Sequence, residues 1–275
     1  MTQTTTFASL PGRALIAVGG PDWRSFLQGL ITQDVETLAP GEARFAALLT
    51  PQGRLLYDLF LVGRNDGVWL DAEAAHREAL LQRLMIYRLR TKVEIAADGT
   101  AVSALFGATP PPGFVTDPRL AALGWRGYGV TAPKGAAVAD AGAYDAHRLA
   151  LGVPGPADWG SDKTYPIEAN FDLLGGIDFK KGCFVGQETT SRMKRRGQIK
   201  TRMTPVAFEG PSPAPGAEVL AGELRAGEVL SGQDGRAMAS LRLDRALGAS
   251  LTVDGRPVTL ERPSWFIEAL GEQPA

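Results

Sequence analysis

The 275-residue chain has a single cysteine, Cys183, and only two histidines, His76 and His147. A lone thiol excludes an internal disulfide and any structural zinc site built on several thiolates, and it fits a reducing compartment. Neither histidine has a cysteine or carboxylate at the spacing of a metal-binding pattern such as HExxH, so both read as structural or surface groups and no resident metal is expected. No run of about 18 apolar residues occurs, and Met1 to Leu10 has neither a basic start nor an apolar signal core. Secretion and membrane spanning are therefore not expected, and a cytoplasmic location is. An excess of one charge is missing too: 29 Lys and Arg stand against 30 Asp and Glu, net −1. No global field draws the chain to nucleic acid or membrane, so any such affinity must be local. The glycine pairs Gly19-Gly20 and Gly175-Gly176 lack the Lys and Ser/Thr that a phosphate loop requires.

What is present is 44% hydrophobic residues, enough to bury a core in two or more subdomains. Ala14 to Val18 reads as a strand, and Asp22 to Leu27 as a short helix capped by Asp22. Residues Phe45 to Thr50 and Leu55 to Val62 flank the turn Pro51-Gln52-Gly53-Arg54, and Asn65-Asp66-Gly67 leads into a strand at Val68 to Leu70. The pattern then predicts a helix from Asp71 to Arg90 and a strand from Thr91 to Ala96. Gly107 to Pro118 reads as a connection, and Tyr144 to Leu151 as a helix stopped by Gly152 and Pro154. From Thr204 onward, short apolar runs broken by Pro215-Gly216, Asp234-Gly235 and Asp254-Gly255 predict a small β-barrel or sandwich. Strands and helices alternate without a regular βαβ rhythm, so the fold class is α+β. The expected division is residues 1–204, holding two subdomains, and a C-terminal barrel at 205–275.

The stretch that carries chemistry is Lys180-Lys181-Gly182-Cys183-Phe184-Val185-Gly186-Gln187-Glu188, continuing to Arg192, Lys194, Arg195 and Arg196. Positive neighbours favour the thiolate, the form that acts as nucleophile or metal ligand. Flanking glycines allow tight turns and close approach. The competing reading is that Cys183 is a small buried hydrophobe. Lys181-Gly-Cys-Phe-Val-Gly-Gln-Glu188 resembles the signature of YgfZ proteins and their mitochondrial iron–sulfur assembly relatives. Further matches are Tyr165 to Asn170, Gly175 to Lys180, Phe26 to Val35, Leu48 to Arg54, Tyr87 to Arg90 and Arg148 to Pro154.

The resemblance implies a three-subdomain cloverleaf around a central folate channel, similar to the glycine-cleavage T-protein. It also implies tetrahydrofolate as a ligand and a role in assembling or repairing iron–sulfur clusters. Clients of the family include enzymes that methylthiolate transfer RNA. Iron–sulfur client or assembly proteins are thus the expected partners, and direct nucleic-acid binding is not expected.

Aminomethyltransferases carry paired acids where Tyr57-Asp58 stands, a Glu where Ala150 stands and an Asp where Cys183 stands. Those losses argue against ordinary aminomethyl transfer. The alternative, a tetrahydrofolate-dependent one-carbon transferase, rests on Asp58 as the acid. Chemistry is thus assigned to Cys183, Lys181 and Asp58. Contact with the ligand or the surrounding ring falls to Glu168, Tyr87, Arg148, Gln187, Glu188 and Arg192. Against this, Glu168 and Asp58 also read as caps, Tyr87, Trp23 and Phe26 as core, and Arg148 and Arg88 as ordinary solvated arginines. The basic run Arg192 to Arg202 reads either as an RNA contact or as a solvated stretch; it has no aromatic for base stacking.

Overall fold

Strand Leu55–Arg64 shows how this chain organises its interior: it is buried along almost its whole length, so both of its faces are covered. Leu59 and Leu61 enter one apolar core, while the alternate positions Asp58 and Phe60 face the other way. The computed structural model describes residues 5–107, 110–197, 199–233 and 235–270. It divides into two units, residues 1–144 with 174–187, and residues 145–173 with 188–275.

The first unit contains two five-stranded sheets. One is antiparallel throughout, in the order Ala43–Leu49, Leu55–Arg64, Gly67–Glu73, Arg13–Gly19, Glu94–Asp98. Helices Trp23–Gln28 and Arg77–Arg88 supply Trp23, Phe26, Leu27, Leu80 and Leu84 to its core, where they meet Ile16, Val18 and Leu70. The other sheet runs Ala137–Ala139, Thr6–Ser9, Val102–Phe106, Trp125–Tyr128, Phe114–Thr116, parallel only in its first pair.

In the second unit, six strands close into a barrel in the order Thr201–Phe208, Arg236–Arg242, Leu224–Gln233, Glu218–Ala221, Leu251–Val253, Arg256–Leu260. Closure leaves no free sheet edge. Val206, Val219, Val229, Leu241 and Val253 fill the interior. Segment 145–173 is tied to the barrel by Arg202, whose Nη1 donates to Ile167 O (2.9 Å) and Asp172 Oδ1 (2.9 Å). Asn170 Nδ2 donates to Met203 O (2.7 Å).

The mixed α+β class and the C-terminal barrel agree with the sequence reading. The helix expected over 71–90 is shorter, Arg77–Arg88, because strand Gly67–Glu73 runs on through Asp71, which pairs with Leu15 and Phe60. Asp22 makes no side-chain cap; its carboxylate accepts the Lys92 N–H instead (2.8 Å). The strand expected at 91–96 is Glu94–Asp98, and the 107–118 connection contains the short strand Phe114–Thr116. Ala108, Thr109, Gln198 and Asp234, which fall within stretches interpreted above, lie outside the described residues, as do Met1 to Thr4. Pro205 lies inside strand Thr201–Phe208.

Candidate functional site

Loop 175–187 is held against the first sheet from several directions, and Thr32 is its main anchor. The buried Thr32 hydroxyl donates to Gly176 O (2.6 Å) and accepts the Ala47 N–H (2.7 Å), while Thr32 O accepts the Asp178 N–H (3.0 Å). Gln33 Nε2 adds a bond to Gly175 O (2.6 Å). Asp178 Oδ1 then accepts the backbone N–H groups of Lys180 (2.7 Å) and Lys181 (3.2 Å), which turns the chain locally.

From there the loop turns Lys181 inward, Cys183 outward and Phe184 inward again. Lys181 goes in: its Nζ donates to the carbonyls of Ile31 (2.7 Å) and Gln33 (2.8 Å) and lies 5.5 Å from the centre of the Phe184 ring. Burial pulls its ammonium down to about 8, against the opposing pull of Asp34, Asp178 and Glu36. Gly182 and Cys183 face solvent, and the thiol is exposed. Phe184 turns back in, and Val185 packs against the sheet core. Gly186 closes the loop at φ 81°, where a Cβ would meet Thr50 O at 2.6 Å and Gly53 Cα at 2.9 Å. Only glycine combines that backbone angle with such close approach to the 50–54 turn. A Cβ on Gly182 would meet nothing within 4 Å, so the space beside the thiol is open.

The Lys181 ammonium is therefore committed to two backbone carbonyls, where it holds the loop that presents Cys183. Helix Gln187–Arg196 follows directly, its first N–H bonded to Phe184 O (3.2 Å). Glu188 and Arg192 are exposed and form an i,i+4 pair at 3.8 Å; Lys194, Arg195 and Arg196 are exposed further along. The arrangement can offer one accessible sulfur on a firmly seated loop, with a basic helix following it in the chain.

The remaining residues lie elsewhere. Asp58 is buried and its Oδ2 accepts from Arg13 (2.7 Å). Tyr87 is half-buried against the first core, and Trp23 and Phe26 belong to that core. In the second unit, Arg148 is buried, donating to Val153 O (2.6 Å) and Asp158 Oδ2 (3.1 Å), with its guanidinium lying over Gly155. Those bonds occupy the Arg148 guanidinium with internal acceptors. Glu168 Oε2 accepts the Tyr165 N–H (3.2 Å), the local cap that its position allowed. Tyr87 thus belongs to the first unit, and Arg148 and Glu168 to the second. Gln187 is half-buried, and Glu188 and Arg192 are exposed. Among the described residues, no three His, Cys, Asp or Glu gather as a metal site.

A buried charge network in the first unit went unread in the sequence. Asp71 accepts from Arg13 Nε (2.7 Å), Arg126 Nη2 (2.6 Å) and Tyr128 Oη (3.0 Å). Asp117 accepts from Arg119 Nη2 (2.8 Å) and lies 3.7 Å from Arg126, while Arg119 also donates to Tyr144 Oη (2.7 Å). The Phe60 ring sits among three guanidinium groups, Arg126 at 3.7 Å, Arg119 at 4.8 Å and Arg13 at 5.2 Å. Burial raises the carboxylates, yet their arginine partners hold Asp71 and Asp117 below the ordinary range. The available signal was a charged residue at an inward, alternate position of an apolar strand, as in Val68-Trp69-Leu70-Asp71-Ala72.

Residues 200–267 match the family described as the CAF17 C-terminal beta-barrel domain. The chain is 33% identical over 264 residues to the mitochondrial iron–sulfur cluster assembly factor IBA57 of Homo sapiens, covering 80% of this chain and 74% of that one. It is 31% identical over 281 residues to the Mus musculus protein of the same name, covering 87% and 78%. Its fold is similar to that of the glycine cleavage system aminomethyltransferase T from Bartonella henselae. The TM-score is 0.78 over 97% of this chain and 87% of that one, with 18% of residues identical. The cytoplasmic location expected from the sequence is corrected by the two relatives, which are named as mitochondrial and point to that organelle. One unpaired cysteine reports only a reducing environment, and it does not distinguish one such compartment from another.

Proposed function

Because the chain belongs to the family of the iron–sulfur cluster assembly factor IBA57, we propose that it is itself an iron–sulfur cluster assembly factor that meets its cargo through Cys183. The observation that carries this reading is the exposed thiol on a loop fixed by Thr32, Lys181 and Gly186. A single thiolate cannot supply the four cysteine ligands a cluster usually takes, so the cluster is shared with a partner protein that brings the rest. Holding the sulfur on a seated loop lowers the ordering cost of that joint site. The test is complementation: in cells lacking the native factor, a Cys183→Ser chain is expected to leave iron–sulfur enzymes inactive while the parent restores them. Equal restoration by both would sink the proposal.

The finer reading is that the chain also takes tetrahydrofolate, as YgfZ proteins do, and serves clients such as enzymes that methylthiolate transfer RNA. Its support is the sequence resemblance and the aminomethyltransferase-like fold. The groups of that reading at or near the surface are Gln187, Glu188 and Arg192. An anaerobic tetrahydrofolate titration, repeated after alkylation of Cys183, tests it; no binding in either state would remove the folate part and leave the cluster part standing.

A further inference from the structure

The chain is nearly neutral as a whole, yet residues 79–93 carry Arg83, Arg88, Arg90 and Lys92 and no carboxylate. Glu78 stands just before this stretch, bonded to Gln82 (2.9 Å), and the exposed Glu94 just after it, while Asp22 accepts the Lys92 backbone N–H (2.8 Å). Helix Arg77–Arg88 is apolar on two sides. Leu80 and Leu84 enter the core, whereas Met85, Ile86 and Leu89 face outward, Ile86 73% and Leu89 87% exposed. Leu89 also has φ 41° and ψ −109°, a backbone conformation that L side chains adopt at a cost. Exposed aliphatic side chains, a strained leucine and a local excess of cations coincide at one helix end, and none of the three helps the first unit hold together.

We infer that this helix end is a peripheral contact site for an anionic lipid surface. Ile86 and Leu89 enter the interfacial layer while Arg83, Arg88, Arg90 and Lys92 meet the headgroups. Charge complementarity selects the occupant: four cations, with acids only just beyond the two ends of the stretch, suit a surface of one sign. The shape agrees. Aliphatic knobs that stand clear of their surroundings need a matching pocket in a protein partner, where binding hot spots favour Trp, Tyr and Arg over Leu; a bilayer interface accepts them without one. No helix among the described residues is long and apolar enough to cross a membrane, so the contact is a surface one. The inference does not depend on the reading of Cys183.

The test is flotation of the full chain with vesicles of phosphatidylcholine alone or with about one third phosphatidylglycerol. Binding to the anionic vesicles is expected to exceed binding to the neutral ones at least about tenfold and to fall as salt is raised. The pairs Ile86→Gln with Leu89→Gly, and Arg88→Gln with Arg90→Gln, are each expected to lose about tenfold in binding. Their circular dichroism and melting should show an intact fold, since all four positions lie at the surface or half-buried at its edge. Equal binding to both vesicle types, or variants that bind as the parent does, would overturn the inference. So would an absence of vesicle binding together with a Leu89→Gly change in the oligomeric mass of the free chain, which would mark the patch as a protein interface.

Discussion

At the scale of single residues, the two glycines around Cys183 do different work. Gly186 sits at φ 81° with backbone atoms of the 50–54 turn where a Cβ would go. Gly186→Ala is expected to lower stability by about 2 kcal/mol or more, as strain and displacement of the loop add together. Gly182 has open space and no such angle, so Gly182→Ala is expected to stay within about 0.5 kcal/mol of the parent. Denaturant unfolding of the two variants side by side checks the pair, and equal losses would contradict it. Lys181→Met removes the donor to the Ile31 and Gln33 carbonyls and is expected to cost about 1–3 kcal/mol. The motif itself could be read from the residues, because a thiol between glycines and after two lysines is a local pattern. That Lys181 turns away to those carbonyls could not, since both acceptors lie some 150 residues earlier.

At the scale of elements, Arg77–Arg88 and Gly67–Glu73 show where a local pattern misleads. The charges after Asp71 suggest the solvent face of one long helix, but the strand continues to Glu73 because Leu15 and Phe60 supply its ladder. Pairing on both sides outweighs the weak local preference. The helix ends at Leu89, whose positive φ is a cost that glycine would remove. Leu89→Gly is expected to raise stability by about 1 kcal/mol once glycine's greater freedom in the unfolded chain is subtracted. By contrast, Leu84→Ala in the core is expected to cost about 2–5 kcal/mol. Thermal melts of the two variants should therefore move in opposite directions.

At the scale of the whole molecule, three arginines and three aspartates share the interior of the first unit around Phe60. Such a balanced set tolerates the loss of a member badly, because the remaining charge is stranded. Arg126→Met is expected to cost about 3–5 kcal/mol, through Asp71 and Asp117 left with fewer partners. The acid dependence has a definite sign. Both carboxylates have folded pKa values below 3.8, so the stability they add is complete above that value. It is lost as pH falls through the folded values. Acid unfolding of the parent should therefore steepen below about pH 4, and an Asp71→Asn chain, already less stable, should show a shallower decline there. Parallel slopes would count against the assignment.

Read alone, the residues determined whatever depends on near neighbours: the Cys183 motif, the turns at 51–54 and 65–67, and the barrel-like rhythm after Thr204. Tertiary structure decided which distant charges meet. Arg13, Asp58 and Asp71 meet within one sheet of the first unit and Arg126 reaches them from the other, across 45 to 58 residues of chain, whereas Arg148 is spent on Asp158 only ten residues on. The reason is physical: turn and strand propensities act over a few bonds. A buried ion pair exists only once the register of separate strands is set, and a single sequence carries no local mark of that register.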